Sequence, residues 1–407
     1  MRRAVILALV LLTGGGALAW HHLTQVPAVS RSDVPSDAPL NLTAKRFGAI
    51  TGDAVVIAPP RADLGNQNHA YLHHDGTLFY AMWSSGPPVE GEPGQEVRYA
   101  TSPDGMNWSA PRLLLAPRSE DRGLIARGFW AHPDGLRAVI SEYRGKGAFG
   151  PGKELVTFAA LPETSGMGGW RRGPVLFEGH IPNYPPVRLD GRDWISLRDT
   201  SFATSVMHSS DGGRTWQDSG PVPADPEGIF RPDEPVVFSD TQDAVCVAMR
   251  NNGADRRVFY SCREGEGDWS PPHPTALPSV ASKLFMMQMA DGRWLVSGNF
   301  EPRRGRSTMH LGMLEADGTI PSLLRVVSPS AWTVRSPSTL QYPHTMVHGD
   351  YLYLAYSIDK ARIEMMRLPL DRVRTMQGEA GAQGTSLVAG ALFEVHRARK
   401  TVSERFR

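Results

Sequence analysis

The sequence predicts an all-β chain folded as a single six-bladed β-propeller, and three observations carry that expectation. A strand–tight turn–strand pattern recurs in "HHDGTLFYAMW", "AHPDGLRAVIS", "VRLDGRDWISL", "VFSDTQDAVCVAM", "MQMADGRWLVSG" and "MVHGDYLYLAYS", with Asp-Gly or a relative at each bend. The turn positions Gly76, Gly135, Gly191, Gln242, Gly292 and Gly349 lie 59, 56, 51, 50 and 57 residues apart. A period of about fifty with four short strands per unit is the signature of propeller blades. A second set of patterns, "QEVRYATSPDGMNW", "ATSVMHSSDGGRTW" and "RRVFYSCREGEGDW", supplies a further strand, a turn and a Trp. No strong helical periodicity interrupts residues 55–370, and one short helix is expected in "PLDRVRTMQ".

The chain opens with "MRR", the apolar run "AVILALVLL" and small residues "ALA" at 17–19. Together these form the three-part pattern of a secretory signal cleaved after Ala19. The run is too short for a comfortable membrane span, so an uncleaved anchor is the lesser alternative and the only route to a membrane partner. Either way the folded part is expected outside the cytoplasm, periplasmic or secreted. Residues 20–45 read as an irregular lead-in, 46–396 as the propeller, and 397–407 as a solvated basic tail.

The chain has 407 residues, a formal net charge of +1 and 41% hydrophobic residues. That suffices for a large core, and no long basic run points to a nucleic-acid partner. The two cysteines, Cys246 and Cys262, are too few for a disulfide scaffold, and no Cys/His cluster has zinc spacing. No metal and no cofactor is expected. The midpoint of the two cysteines is Ala254, inside the turn-rich "NNGADR". A symmetric hairpin there places them opposite each other, close enough for a disulfide, whereas a one-residue slip leaves two packed thiols.

Residues 208–217, "HSSDGGRTWQ", look like surface turn yet contain a Trp. Ser209, Asp211, Gly213, Thr215 and Trp216 complete the S-x-D-x-G-x-T-W turn, the Asp-box. The Asp side chain and the hydroxyls can bond backbone N–H groups within the turn, and the Trp can fold back between neighbouring sheets. "SPDGMNW" is a shortened copy, and "SCREGEGDW" a degraded one with Arg263 in place of Asp. These boxes are structural.

Hairpin arithmetic then selects candidate site residues. Positions equally far from a turn centre oppose each other on antiparallel strands. Glu234 is expected opposite Arg250, Tyr184 opposite Arg198, Lys283 opposite Asn299, Tyr342 opposite Ser357, and Arg127 near Glu142. Asn68 and His69 lie at the same end, beside Trp83. All sit away from the turns, at the end of each inner hairpin that faces one mouth of the central channel. A single charged pair stabilises any sheet. Six such coincidences at one end point to a polar funnel suited to an anionic or polyhydroxylated ligand.

With Asp-boxes, six units and an export signal, residues 50–370 resemble the sialidase superfamily of BNR-repeat proteins. The resemblance implies a Tyr nucleophile with a neighbouring Glu, a separate carboxyl acid/base, and an arginine clamp for the substrate carboxylate. "DEPVVF…VAMR" is similar to the Glu-then-Arg segment, which implies Glu234 and Arg250. "RRGRSTMHLGML" resembles the segment with the third arginine, which implies Arg306. "YPHTMVHGDYLYLAYS" looks like the Tyr-bearing last blade, which implies Tyr342. The acid/base would lie in "SSGPPVEGEPGQ", as Glu90 or Glu92.

The chain also departs from that pattern. "GNQNHAYLHHDG" has Asn68 and His69 where an arginine is expected, and Ser357 stands where a late Glu would support that arginine. The function expected is therefore an exo-acting glycoside hydrolase on a terminal sugar of a glycan or polysaccharide, with the sugar left open. Two other readings compete. One is a non-catalytic glycan-binding propeller, and the other a His-dependent lyase or rhamnosidase-like enzyme using His69. The sequence does not set the oligomeric state.

Overall fold

The structure, a computed structural model, describes residues 34, 38–44, 47–61, 63–163, 169–225, 228–240, 244–330 and 338–376. The expected signal at 1–19, the turn centre Gln242 and the basic tail at 397–407 lie outside the described residues.

Six sheets of four or five strands follow one another along the chain. Their inner hairpins are Asn66–His74 with Phe79–Gly86, Arg122–His132 with Gly135–Arg144, and Ile181–Pro182 plus Val187–Leu189 with Arg192–Arg198. The other three are Pro232–Ser239 with Val245–Asn251, Phe285–Gln288 with Trp294–Gly298, and Leu340–His348 with Tyr351–Ile358. Each coincides with one of the six sequence hairpins. The first inner strand touches both the second and the sixth, which closes the ring. Each blade is covered on both faces, so a strand such as Phe79–Gly86 is buried along its whole length rather than at alternate residues. Apolar residues between the blades form the core, as with Ala81 and Trp83 of blade one against Tyr353 and Met365 of blade six. The short helix spans Leu370–Arg374.

Closure uses strands from the start of the described chain. Phe47–Ile50 pairs in parallel with Leu323–Val326 of blade five, and Asp53–Ala58 completes blade six against Arg362–Pro369. Residues 38–44 correct part of the expected irregular lead-in. Asn41–Leu42 pairs with Thr319–Ile320, and Leu40 and Leu42 are buried in the core. Apolar side chains in that segment make burial favourable, whereas reading its composition alone missed the pairing.

The Asp-box closes as its residue types require. Asp211 Oδ1 accepts from the N–H groups of Arg214 (3.0 Å) and Thr215 (2.9 Å), and Ser209 Oγ accepts from Gly213 N–H (2.7 Å). Trp216 then packs against Trp130 and Phe177 of blade two. The other boxes repeat the device on the preceding blade. Trp108 joins the apolar cluster that includes Tyr353 of blade six, and Trp269 donates to Ser219 O of blade three at 3.0 Å. Each box is thus a lock between neighbouring blades.

Gly213 makes that lock possible. Its φ is +78°, and a Cβ there would stand 2.1 Å from Trp130 Cη2. Gly213→Ala is expected to cost about 3 kcal/mol in urea unfolding, by strain plus overpacking. Gly292→Ala, at φ +86° with open space around it, should cost only about 1 kcal/mol. Equal costs would show that the contact with Trp130 is unimportant.

Cys246 and Cys262 face each other in register, with Cα atoms 4.0 Å apart, and form a disulfide. The symmetric-hairpin expectation therefore holds.

Candidate functional site

Most of the chemistry-bearing residues gather at the channel mouth opposite the hairpin turns, and a repeated backbone device puts them there. The inner-strand register shifts between Asn68 and Tyr71, between Asp233 and Val236, and between Gln341 and His344. Inside these bulges His69, Glu234 and Tyr342 take φ of +53°, +49° and +56°. Blade two has a similar shift between Ala126 and Gly128, at Arg127. A bulge inserts one residue and re-aims its side chain. Positive φ at a bulky residue is strained and persists only when the surroundings impose it, which makes these positions candidates for function.

The bulges correct the hairpin arithmetic by one residue in two blades. Arg250 faces Asp233 rather than Glu234, and Ser357 faces Gln341 rather than Tyr342. Ile181, not Tyr184, faces Arg198, because the inner strand of blade three breaks around Asn183–Pro186. Arg127 and Glu142 do not oppose each other: Glu142 faces Leu124. Its carboxylate is enclosed by Arg118, Arg122 and Arg172, so it belongs to a separate ion cluster of blade two. Phe285 faces Ser297, which is the register that the Lys283–Asn299 pairing requires.

On one side of the site stands a buried ion network. Glu234 Oε2 accepts from Arg250 Nη1 at 2.7 Å, and Arg250 Nε donates to Asn252 Oδ1 at 2.9 Å. Arg198 pairs with Asp233 and donates to Asn183 Oδ1 at 3.3 Å, and Arg127 reaches the same Asn183 oxygen at 3.1 Å. Lys283 Nζ donates to Tyr71 Oη (2.6 Å) and Asn183 O (2.9 Å), with its ammonium 4.0 Å from the Tyr184 ring. Burial by itself would raise the Glu234 carboxyl; Arg250, then Arg198 and Lys283, outweigh it and hold the group well below its usual range. Glu234 is therefore a carboxylate at neutral pH.

Tyr342 stands on the other side. Its ring lies 4.7 Å from the His69 ring, with the Arg306 guanidinium at 5.8 Å and the Lys360 ammonium at 5.7 Å. Burial, then Glu234 and Glu90, push the Tyr342 phenol up, while Arg306 and Arg250 oppose them. Burial and the cations Lys283, Arg127, Lys360 and Arg198 keep His69 neutral. Glu90 is held by Asn68 Nδ2 at 2.9 Å and by Lys360, with His69 Nε2 3.6 Å away. Glu92 turns outward to Lys146 at 2.7 Å. Arg306, in the turn Gly305–Ser307, donates to Gln341 Oε1 (2.5 Å) and Ala281 O (2.6 Å). Asn299 is committed to Ser282, Thr308 O and Leu340 O. Lys360, Asp233 and Asn183 were absent from the sequence reading. Each acts through a contact with another blade, Asp233 with Arg198, Asn183 with Arg127 and Lys360 with Glu90.

A cavity of 270 Å³ opens instead near the turn-side mouth, lined by Trp194, Trp294, Phe285 and Met286 among others. Tyr184 is the one predicted site residue on it, so it is distinct from the polar site.

The arrangement puts three carboxylates (Asp233, Glu234 and Glu90), the Tyr342 phenol and four guanidinium groups around one mouth. It can hold a polar or anionic ligand and can supply both a nucleophile and a proton donor.

Comparison with known proteins agrees with this architecture. A model of the BNR repeat-like domain matches residues 199–354. A protein of unknown function from Dyadobacter fermentans DSM 18053 superposes with a TM-score of 0.57 at 15% identity, covering 78% of this chain and 98% of that one. Trypanosoma rangeli sialidase in complex with the inhibitor DANA gives 0.56 at 13% identity, over 86% of this chain and 61% of that one. A Penicillium chrysogenum alpha-L-arabinanase complexed with arabinobiose gives 0.54 at 12% identity, over 78% and 98%. The chain spans about three fifths of the trypanosomal chain. No curated protein matches the sequence. The fold is a six-bladed β-propeller, similar to those of the sialidase and the arabinanase.

Proposed function

We propose that this sialidase-like propeller is an exported, exo-acting glycoside hydrolase that takes a terminal sugar of a glycan or polysaccharide. The observation that carries the reading is Tyr342. A strained bulge holds it where Glu234, Glu90, Arg306 and Arg250 all act on its phenol. Tyr342 is the nucleophile. Glu234, ionised at neutral pH, accepts the phenolic proton as the oxygen attacks the anomeric carbon. Glu90, whose charge acts on Tyr342 while Glu92 is tied to Lys146, is the acid that protonates the leaving oxygen and later activates water. Arg250 and Arg306 position the sugar. The disulfide and the apolar leader support export, since disulfides persist in oxidising compartments.

One observation favours a second reading. Glu234 gives its close contact to Arg250, and the buried phenol is harder to ionise than free tyrosine. A glycan-binding propeller without turnover would tolerate both. The deciding experiment incubates the protein with a panel of glycosides and polysaccharides and analyses released monosaccharides. Release of one terminal sugar, lost with Glu90→Gln, supports the hydrolase. Saturable glycan binding with no release from any member of the panel supports the binding module.

A further inference from the structure

Four rings from four blades meet across the central channel: Tyr71 of blade one, Tyr184 of blade three, Phe285 of blade five and His344 of blade six. Around the set, neighbouring centroids lie 6.1, 4.9, 4.4 and 5.3 Å apart. On the polar side of this plug, Lys283 Nζ bonds Tyr71 Oη at 2.6 Å. On the turn side, Tyr184, Phe285 and His344 form the floor of the 270 Å³ cavity. The polar atoms of the rings are engaged elsewhere. Tyr71 Oη donates to Asn183 O at 2.6 Å, Tyr184 Oη donates to Leu284 O, and His344 Nδ1 accepts from Leu72 N–H at 3.2 Å. Burial, then the Lys283 charge, keep His344 neutral.

Two indoles stand in the walls, Trp194 of blade three and Trp294 of blade five, and both are buried. Trp294 Nε1 donates to Ser239 Oγ at 3.3 Å. Trp194 is 3% exposed, and its buried Nε1 has no acceptor among the described residues. Native structures rarely leave such a donor unpaired. Arg188 brings a charge only to the exposed rim, where it is paired with Asp193 at 3.1 Å.

We infer that this cavity is a second ligand site, and that it takes an uncharged, two-ring aromatic molecule carrying one acceptor oxygen. Each part of that class has its observation. An apolar cavity of about 150 Å³ holds benzene, so 270 Å³ admits a second ring. The indoles and Phe285 offer aromatic faces and edges to a flat ligand. The paired Arg188 leaves no charge to be met. The Trp194 N–H needs one acceptor. The plug separates this ligand from Glu234 and Tyr342, so the site goes beyond the glycan reading and does not depend on it.

1-Tetralone and tetralin test the site, because the ketone carries the acceptor oxygen and the hydrocarbon lacks it. In a ligand-observed NMR titration of the full chain, 1-tetralone should bind saturably and at least about ten-fold tighter than tetralin, the effect of one buried donor regaining its partner. Trp194→Phe keeps an aromatic wall without the N–H, so the two affinities should come within about three-fold of each other. Val187→Trp fills the cavity from a half-buried position of its lining and should abolish saturable binding of both molecules. Met287→Trp, half-buried on blade five, is a second filler with the same expected loss. Circular dichroism reports the folding of each variant. No saturable binding to wild type, equal affinity for the two molecules, a ketone preference that survives Trp194→Phe, or binding that survives either filler in folded protein overturns the inference. Displacement of 1-tetralone by methyl glucoside or methyl galactoside assigns a sugar subsite instead and overturns the ligand class. None of these readouts depends on turnover, so they stand apart from the monosaccharide screen.

Discussion

Tyr342→Phe is expected to lose at least about 10³-fold in kcat, or about 4 kcal/mol of transition-state stabilisation, on the sugar found by the release screen. The fold should not notice. The substitution removes one hydroxyl, while the ring keeps its contacts with His69, Arg306 and Lys360. Its backbone strain at φ +56° is present in both forms. The melting temperature should therefore stay nearly unchanged, and binding of the intact glycan should weaken little. That combination separates chemistry from binding, because a non-catalytic propeller would keep its affinity and have no turnover to lose. Full activity in Tyr342→Phe would rule out the tyrosine as nucleophile and move the lyase or rhamnosidase-like reading with His69 ahead.

Arg250→Ala should destabilise the fold by about 3 kcal/mol at neutral pH, the usual consequence of leaving one member of a buried pair uncompensated. Arg250 is the main cation holding the Glu234 carboxyl down. The pH dependence follows with a definite sign. A carboxyl whose folded pKa lies below its unfolded value of about 4.3 contributes stability that is fully present above that value. This contribution is lost as pH falls through the folded pKa. In Arg250→Ala burial meets weaker opposition, from Arg198 and Lys283 alone, so the folded pKa rises. The variant should lose less stability than wild type between neutral pH and about pH 3. Urea unfolding at both pH values measures it. Parallel losses in the two proteins would show that Arg250 does not set the charge of Glu234.

The fold was legible because its turns and strands speak locally. Asp-Gly bends between alternating or fully apolar runs mark hairpins within about twenty residues, and each Asp-box carries its own anchoring Trp. What could not be seen was long-range or one residue wide. Asp53–Ala58 looks like any short strand, and nothing near it in sequence says that its partner is Arg362–Pro369. The bulges at His69, Glu234 and Tyr342 add a single residue without a glycine to announce it. Symmetric counting therefore paired Glu234 with Arg250 where the backbone pairs Asp233, yet the side chains meet because the bulge turns Glu234 back. For Glu142 the same counting failed outright, and the carboxylate went to Arg122 and Arg172 of its own blade and Arg118 of the preceding connection. Lys360 was invisible because its role depends on a neighbouring blade.

The stitching of the first strands into blades five and six also sets an order in time. Ala58 pairs with Ile363, more than 300 residues later. A chain being synthesised therefore carries Asp53–Ala58 as an idle edge while the other blades are made. Such an edge is a template for pairing with another chain. Long-range pairing of this kind is slow to find even where its entropic cost is modest. Premature termination anywhere before residue 362 would leave an open arc with two bare edges, and the event that commits it to a ring is the arrival of Arg362–Pro369.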